Sequence, residues 1–215
     1  MNDLYGAWQA RVQRGVMVLL TTLVLSGTAM AAPSRTVLVL GDSLSAAYGL
    51  AANQGWVALT AQKMRVTHPT WRVVNASISG ETTAGGAARI AAELKRSRPS
   101  VVVVELGAND GLRGLSLQQT RTNLDQIIGA STRSGARVLL VGMRMPPNFG
   151  ATYTQGFESN FVVLSKKYRT AFLPFLLAPI ATERKNFQAD NMHPVAAAQP
   201  RLRDHVWPTL RPLLK

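Results

Sequence analysis

The chain repeats one arrangement three times: an apolar run followed directly by a short polar turn. Residues 36–40 (TVLVL) lead into Gly-Asp-Ser-Leu at 41–44. Residues 73–76 lead into Ser-Ile-Ser-Gly at 77–80, and the run VVVVEL at 101–106 leads into Gly-Ala-Asn-Asp. A continuous valine run is typical of a strand buried on both faces of a parallel sheet. In such sheets ligands bind outside the carboxyl ends of the strands, so these turns predict a site at that edge.

Apolar strand patterns alternate with helical patterns along the rest of the chain. The predicted strands cover residues 36–40, 71–76, 101–106, 137–141 and, more weakly, 171–176, which Pro174 interrupts. The predicted helices cover residues 55–66, 82–96, 116–134 and 157–168, with a proline-broken helical tail at 194–215. The alternation predicts an α/β fold in which right-handed crossovers build a mostly parallel five-stranded sheet covered on both faces. The irregular stretch at 143–153 should overhang the same edge as the three turns.

The first 31 residues have the pattern of a secretory signal peptide. Arg11 and Arg14 precede an apolar stretch at 16–30, which closes with Ala-Met-Ala at 29–31. The stretch is short for a membrane span, although an uncleaved anchor is the alternative. We therefore expect residues 32–215 to form one exported domain, periplasmic or secreted from a bacterium. The chain has no cysteine, so disulfides and thiolate chemistry do not enter.

The chain carries 24 lysines and arginines against 11 acidic residues, a formal net charge of +13. Such a surface favours anionic partners, among them lipid headgroups and phosphate-bearing substrates. Nucleic acid is not an expected partner, because an exported protein meets little of it and the basic residues form no single block. We expect at most peripheral contact with a membrane.

A serine hydroxyl needs a base within hydrogen-bonding reach to act as a nucleophile at neutral pH. Of the three histidines, His68 and His205 have the setting of surface residues. His193 lies in Asp-Asn-Met-His-Pro, after the fifth strand, with Asp190 three positions upstream. Ser43, His193 and Asp190 therefore form a predicted catalytic triad, in which the carboxylate orients the imidazole.

Acyl transfer also needs hydrogen-bond donors for the oxyanion of the tetrahedral intermediate. One candidate comes from each strand-end turn: the backbone N–H of Ser43, the backbone N–H of Gly80 and the side-chain amide of Asn109. This assignment explains why two further polar turns should face Ser43.

These segments together resemble the conserved blocks of the SGNH (GDSL) hydrolase superfamily, and especially its periplasmic thioesterase I, lysophospholipase and arylesterase group. The stretches GDSLSAAYG, NASISGETT, GANDGLRG and DNMHP carry the resemblance. It implies a three-layer flavodoxin-like fold and hydrolysis of fatty acyl esters and thioesters, lysophospholipids included, without metal or cofactor. We expect a monomer. In these relatives the loop after the third block helps to cover the acyl chain, here residues 110–115. Ala108 stands where they often have glycine, which bears on acyl-chain preference.

Apolar residues over the sheet edge are candidates for substrate selection, with ordinary loop packing as the equal alternative; they are Leu112, Leu115, Met145, Pro146 and Phe149. An alternative enzyme on the same scaffold is a carbohydrate or peptidoglycan O-acetylesterase, which would need a short acyl pocket. A non-enzymatic alternative is a periplasmic binding domain with a vestigial site. Complete retention of Ser43, Asp190 and His193 argues against the second.

Overall fold

A computed structural model describes residues 35–215 of the chain. Its centre is one sheet of five strands in the order β2-β1-β3-β4-β5, in which every neighbouring pair is parallel. The strands are β1 (Arg35–Gly41), β2 (Trp71–Asn75), β3 (Val101–Glu105), β4 (Arg137–Val141) and β5 (Ala171–Leu173). The α/β fold with a parallel five-stranded sheet is confirmed. The predicted signal peptide at 1–31 lies outside the described residues.

Helices cover both faces of the sheet, as right-handed crossovers require. They are α1 (Trp56–Thr67), α2 (Thr83–Ser97), α3 (Ala108–Leu112), α4 (Leu117–Arg133), α5 (Ala151–Tyr168) and α6 (Gln199–Leu210). Helices α2, α4 and α5 pack side by side, and α1 packs against α6. None of the helices within residues 35–215 has the length and apolar character that crossing a membrane requires.

The central strands are buried on both faces. All four valines of β3 are 0% exposed, as are Leu38 and Leu40 in β1. This burial explains why these strands read as continuous apolar runs rather than as alternating patterns. It also fixes the strand ends rigidly, so the turns that follow them start from a defined edge.

Three elements differ from the sequence prediction. Helix α5 begins at Ala151, six residues before the predicted start at 157, so the irregular stretch after β4 is shorter than expected. Strand β5 ends at Leu173, because Pro174 has no N–H to continue the ladder. The short helix α3 occupies part of the segment predicted as a loop at 110–115.

Candidate active site

Ser43 lies in the turn that follows β1, between the ends of β2 and β3. The chain passes very close to itself here. A Cβ at Gly41 would lie 2.8 Å from the Cβ and Oγ of Ser45 and 2.9 Å from Glu105 Oε2. Only glycine fits such a close approach without displacing its neighbours. Gly41 therefore allows the nucleophile turn to fold tightly against the end of β3.

His193 lies beside Ser43, although 150 positions separate them in the sequence. The Nε2 atom of His193 is 2.9 Å from Ser43 Oγ, and its Nδ1 atom is 2.6 Å from Asp190 Oδ2. The three side chains predicted as a triad are thus joined in one hydrogen-bonded chain. A hydroxyl, an imidazole and a carboxylate at these distances can transfer a proton from the serine during attack.

A tight turn holds Asp190 in place under the imidazole. Its Oδ1 atom accepts the backbone N–H of Met192 at 2.9 Å and that of His193 at 3.0 Å. These two backbone hydrogen bonds, followed by the bond to the His193 side chain, lower the pKa of Asp190 to about 2. The carboxylate therefore stays ionised, and its second oxygen faces Nδ1 of the histidine.

Tyr48 is a neighbour of the imidazole that the sequence analysis did not single out. Its ring centroid is 4.3 Å from that of His193, with the planes tilted by 37°. The backbone oxygen of Tyr48 accepts a hydrogen bond of 2.9 Å from Gln188 Nε2. The tyrosine does belong to the GDSLSAAYG stretch that carries the family resemblance, which was the available signal.

Gly80 and Asn109 line the same cavity as Ser43 and His193. Gly80 has a φ of +79°, a left-handed conformation that favours glycine, and its carbonyl accepts a hydrogen bond of 3.1 Å from Arg113. The structure thus brings together all three residues predicted to supply oxyanion donors. Each lies in the segment that follows a different strand, as the sequence pattern implied.

One side-chain oxygen and one backbone oxygen accept hydrogen bonds from the side-chain amide of Asn109. Its Nδ2 atom is 3.2 Å from Asp42 Oδ2 and 3.1 Å from the backbone oxygen of Glu81. The other carboxylate oxygen of Asp42 accepts the Leu44 N–H at 3.0 Å. Asp42 is 0% exposed, and this burial is the main cause that raises its pKa to about 6. Asp42 is a functional candidate that the sequence analysis missed.

A second buried carboxyl lies next to Asp42. Glu105, at the end of β3, is fully buried, and its Oε2 atom accepts the Ser45 hydroxyl at 2.7 Å. Its Oε1 atom has no hydrogen-bond partner among the described residues. Burial and, secondarily, the charge of Asp42 raise the pKa of Glu105 well above its usual range. Through its hydrogen bond with Ser45, Glu105 links the turn after β1 to the neighbouring strand β3.

Asp110 connects the Asn109 segment to helix α2. Its Oδ2 atom accepts the Thr83 N–H at 2.8 Å, and its Oδ1 atom accepts the Thr83 hydroxyl. Thr82 occupies the N-cap position of α2 but makes no side-chain capping bond. Helix α2 is therefore capped by a carboxylate from α3, and this bond ties the two helices together.

The cavity beside Ser43 has a volume of about 590 Å³ and a largely apolar wall. Of the predicted selectivity residues, Leu112, Met145 and Pro146 line it, whereas Leu115 and Phe149 do not. Ala108 lines it too. The other apolar side chains of the wall are Leu44, Met143, Pro147, Phe175, Leu177, Ala181, Phe187 and Met192. A cavity of this size and character suits an acyl chain. Within residues 35–215, no group of three or more His, Cys, Asp or Glu side chains could hold a metal ion.

Comparisons with known proteins point to one family. The sequence profile of the GDSL-like lipase/acylhydrolase family matches residues 39–199. The esterase TesA of Pseudomonas aeruginosa is 47% identical over 183 residues, which cover 85% of this chain and 91% of that protein. The thioesterase 1/protease 1/lysophospholipase L1 of Escherichia coli K12 is 41% identical over 187 residues, which cover 87% and 88%.

Solved structures give the same result. A crystal structure of TesA matches with a TM-score of 0.81 at 47% identity, covering 83% of this chain and 99% of that one. The fold, the strand-end turns and the extent of these matches lead to one assignment, which confirms the resemblance found in the sequence: the chain belongs to the GDSL-like lipase/acylhydrolase family.

Proposed function

We propose that this protein is a serine esterase and thioesterase that hydrolyses fatty acyl esters and thioesters through an acyl-enzyme on Ser43. The observation that carries the proposal is the continuous hydrogen-bonded chain from Ser43 Oγ through His193 to Asp190, which opens onto an apolar cavity. The names of the relatives, esterase and thioesterase/lysophospholipase, support this substrate class.

In the proposed cycle His193 removes the hydroxyl proton of Ser43 as Oγ bonds to the acyl carbonyl carbon. Asp190 holds the proton of Nδ1, so that Nε2 is free to accept the serine proton, and it stabilises the imidazolium that forms. The 2.9 Å distance from Nε2 to Oγ is within reach for this transfer. The imidazolium then gives its proton to the leaving alkoxide or thiolate, and the acyl group stays on Ser43.

The tetrahedral oxyanion would be held by the N–H groups of Ser43 and Gly80 and by the Asn109 amide. In the second half of the cycle His193 takes a proton from water, the hydroxide attacks the acyl-enzyme, and the acid leaves as Oγ regains its proton. The apolar cavity would accept the acyl chain during both halves. None of these steps requires a metal or a cofactor.

A fluorophosphonate probe tests the nucleophile directly. Wild-type protein should be labelled on Ser43, and Ser43→Ala should lose both the label and hydrolysis. Ser134→Ala is the matched control, because this serine follows α4 at the opposite edge of the sheet and its hydroxyl donates to the Ser131 carbonyl. Retained hydrolysis in Ser43→Ala would exclude the proposed mechanism.

A series of esters and thioesters of increasing acyl length tests the substrate class. We expect the specificity constant to rise with chain length, because each added methylene gains buried apolar contact in the cavity. Activity confined to acetyl esters would instead favour the carbohydrate or peptidoglycan O-acetylesterase. No reaction with any ester, together with no labelling, would favour the vestigial binding domain.

We propose further that residues 1–31 direct export and that residues 32–215 act in the periplasm or outside the cell as a monomer. The basic residues, apolar stretch and small-residue cleavage pattern support the export of the protein. Mass spectrometry of the protein from a periplasmic fraction tests it. The expected N-terminus is residue 32 or 33, whereas an intact residue 1 would indicate an uncleaved anchor.

A further inference from the structure

Large apolar side chains exposed on the described part of the chain are concentrated around the mouth of the cavity. Eight such residues are substantially exposed, and three of them, Val66, Val162 and Val163, lie on α1 and α5. The other five form what we call the mouth rim: Tyr48, Ile78, Leu112, Leu115 and Met192. Their exposed fractions run from 40% to 51%. Clusters of this kind, unlike scattered apolar residues, mark interaction surfaces.

The mouth rim is built from several separate segments that meet at the carboxyl edge of the sheet. Tyr48, Leu112 and Met192 line the cavity themselves. Ile78 directly precedes Ser79 and Gly80, which also line it, and Leu115 follows the turn that ends α3, where its N–H bonds the Asp110 carbonyl. The rim therefore surrounds the route by which a substrate enters.

Two arginines flank the mouth rim. Arg113 lies between Leu112 and Leu115, is exposed, and donates a hydrogen bond to Gly80. Arg144 lines the cavity with its side chain 55% exposed and its guanidinium carbon 5.4 Å from the centre of the Phe175 ring. Apolar side chains accompanied by cations are the combination that binds the interface of an anionic lipid layer.

Three acidic groups near the mouth have side-chain partners. Glu158 lies 3.2 Å from Arg144, and Glu81 bonds Arg89 with a side chain only 7% exposed. Asp190 bonds His193 and keeps its negative charge. This local charge is small beside the formal net charge of the whole chain, +13. Long-range attraction therefore favours an anionic surface over a neutral one.

We propose that the mouth rim docks onto lipid surfaces that carry anionic headgroups and opens the cavity directly to the lipid. The proposal rests on the proposed function, because a docking rim serves an enzyme whose substrate has an acyl chain. Contact is shallow: the rim enters the headgroup region while Arg113 meets the lipid phosphates. An acyl chain then passes from the lipid layer into the cavity without crossing water.

Co-sedimentation with vesicles tests the docking surface. The full protein is mixed with vesicles of phosphatidylcholine alone and of phosphatidylcholine with phosphatidylglycerol. Ile78→Asp places a charge on the rim at a residue that does not line the cavity. Val66→Asp is the matched control, since Val66 is 83% exposed on the outer side of α1. Ile78→Ser and Val66→Ser repeat the pair without adding charge.

The wild type should bind the vesicles with phosphatidylglycerol at least several-fold more tightly than those without it. Ile78→Asp should weaken this binding about tenfold, and Ile78→Ser less, while both Val66 variants match the wild type. Thermal unfolding confirms that each variant is folded. Equal loss in the Ile78 and Val66 variants, or no wild-type binding to anionic vesicles, would overturn the proposal.

Two further readouts separate the proposal from its alternatives. Ile78→Asp should hydrolyse a short water-soluble ester at the wild-type rate and a vesicle-borne lysophospholipid more slowly. If the wild type hydrolyses neither substrate but binds vesicles, the proposed function fails while the docking surface stands. If Ile78→Asp changes the sedimentation velocity of the protein itself, a second copy covers the rim and the lipid proposal is wrong.

Discussion

The carboxylate of Asp42 and the side-chain amide of Asn109 lie 3.2 Å apart, Oδ2 to Nδ2, at the edge of the cavity. The same amide nitrogen lies 3.1 Å from the Glu81 carbonyl, so both of its hydrogens already have acceptors. An oxyanion that binds Asn109 must therefore share a hydrogen with one of them. Asp42 thus sets the orientation of the proposed oxyanion donor in the resting protein.

The first prediction concerns Asp42→Asn. The new amide has one acceptor oxygen for two N–H donors, Leu44 and Asn109, so one donor loses its partner and the Asn109 side chain loses its fixed orientation. We expect kcat on a soluble ester to fall about ten- to a hundredfold, less than the hundred- to thousandfold typical of a deleted donor. In an Asn109→Ala background the same change should have little further effect on kcat.

Asp110→Asn is the matched control for this cycle. Asp110 is also buried and caps α2 through Thr83, but its side chain does not bond the Asn109 amide. Its effect on kcat should be similar with and without Asn109→Ala. Equal effects of Asp42→Asn in both backgrounds would mean that Asp42 supports the fold and does not act through Asn109.

The second prediction concerns stability against pH. Burial raises the pKa of Asp42 from 3.8 to about 6, so the folded protein keeps this proton at pH values where the unfolded chain has released it. The free energy of unfolding should therefore decrease as the pH rises from 4 to 6. Above pH 6 the destabilisation by the buried, ionised Asp42 is fully present. The effect of Asp190 on stability has the opposite sign. Its pKa is lowered to about 2, so the stabilisation by its ionised form is lost as the pH falls from 4 toward 2.

Urea titrations between pH 2 and pH 8 measure both effects. Asp42→Asn should remove much of the downward slope between pH 4 and 6, and Asp190→Asn should leave that slope in place while it reduces the loss below pH 4. A wild-type slope retained by Asp42→Asn would assign the effect to another group, with Glu105 as the next candidate.

Much of this site could be predicted because parallel strands end at a common edge. Ser43, Gly80 and Asn109 each follow a strand, and the parallel pairing of β1 with β2 and β3 brings the three turns to one edge. The scarcity of histidines then singled out His193, whose Nε2 atom does lie 2.9 Å from Ser43. Local sequence patterns were sufficient to predict these site residues because their positions depend mainly on where the strands end.

The buried carboxylates that accept hydrogen bonds around the site could not be predicted. Whether the carboxylates of Asp42 and Glu105 face solvent or the interior depends on how a turn packs against the next strand, and no local pattern records this. For the same reason the contact of the Tyr48 ring with His193 and the capping of α2 by Asp110 could not be predicted. The early start of α5 was missed because residues 146–150 contain two prolines and a glycine, which mask the helical pattern after them.

The third prediction concerns Gly80→Ala. Gly80 has a φ of +79°, and an added Cβ would have only Arg113 Nη2 within 4 Å, at 3.9 Å. The change should therefore cost about 1 kcal/mol of backbone strain without a clash. Relaxation of that strain rotates the adjacent peptide groups, so we expect kcat to fall about tenfold or more as the proposed N–H donor turns away.

Gly135→Ala is the control, since Gly135 has a φ of +86°, nothing within 4 Å of an added Cβ, and lies beyond the end of α4. Both variants should lower the melting temperature by similar amounts, and only Gly80→Ala should lower kcat. Equal kcat values in the two variants would remove Gly80 from the proposed oxyanion hole.

The last prediction concerns Asp190→Asn. An asparagine oxygen can still accept the backbone N–H groups of Met192 and His193, so the turn should persist. The amide nitrogen would then face His193 Nδ1 and donate to it, which places the imidazole proton on Nε2, opposite the Ser43 hydroxyl. In that tautomer the histidine cannot accept the serine proton. We expect kcat to fall about a thousandfold or more, with a melting temperature modestly below that of the wild type at neutral pH because the contribution of the ionised carboxylate is lost. Stopped-flow or long-time assays on an aryl ester measure the residual rate, and a loss of less than tenfold would show that Asp190 does not control the tautomer.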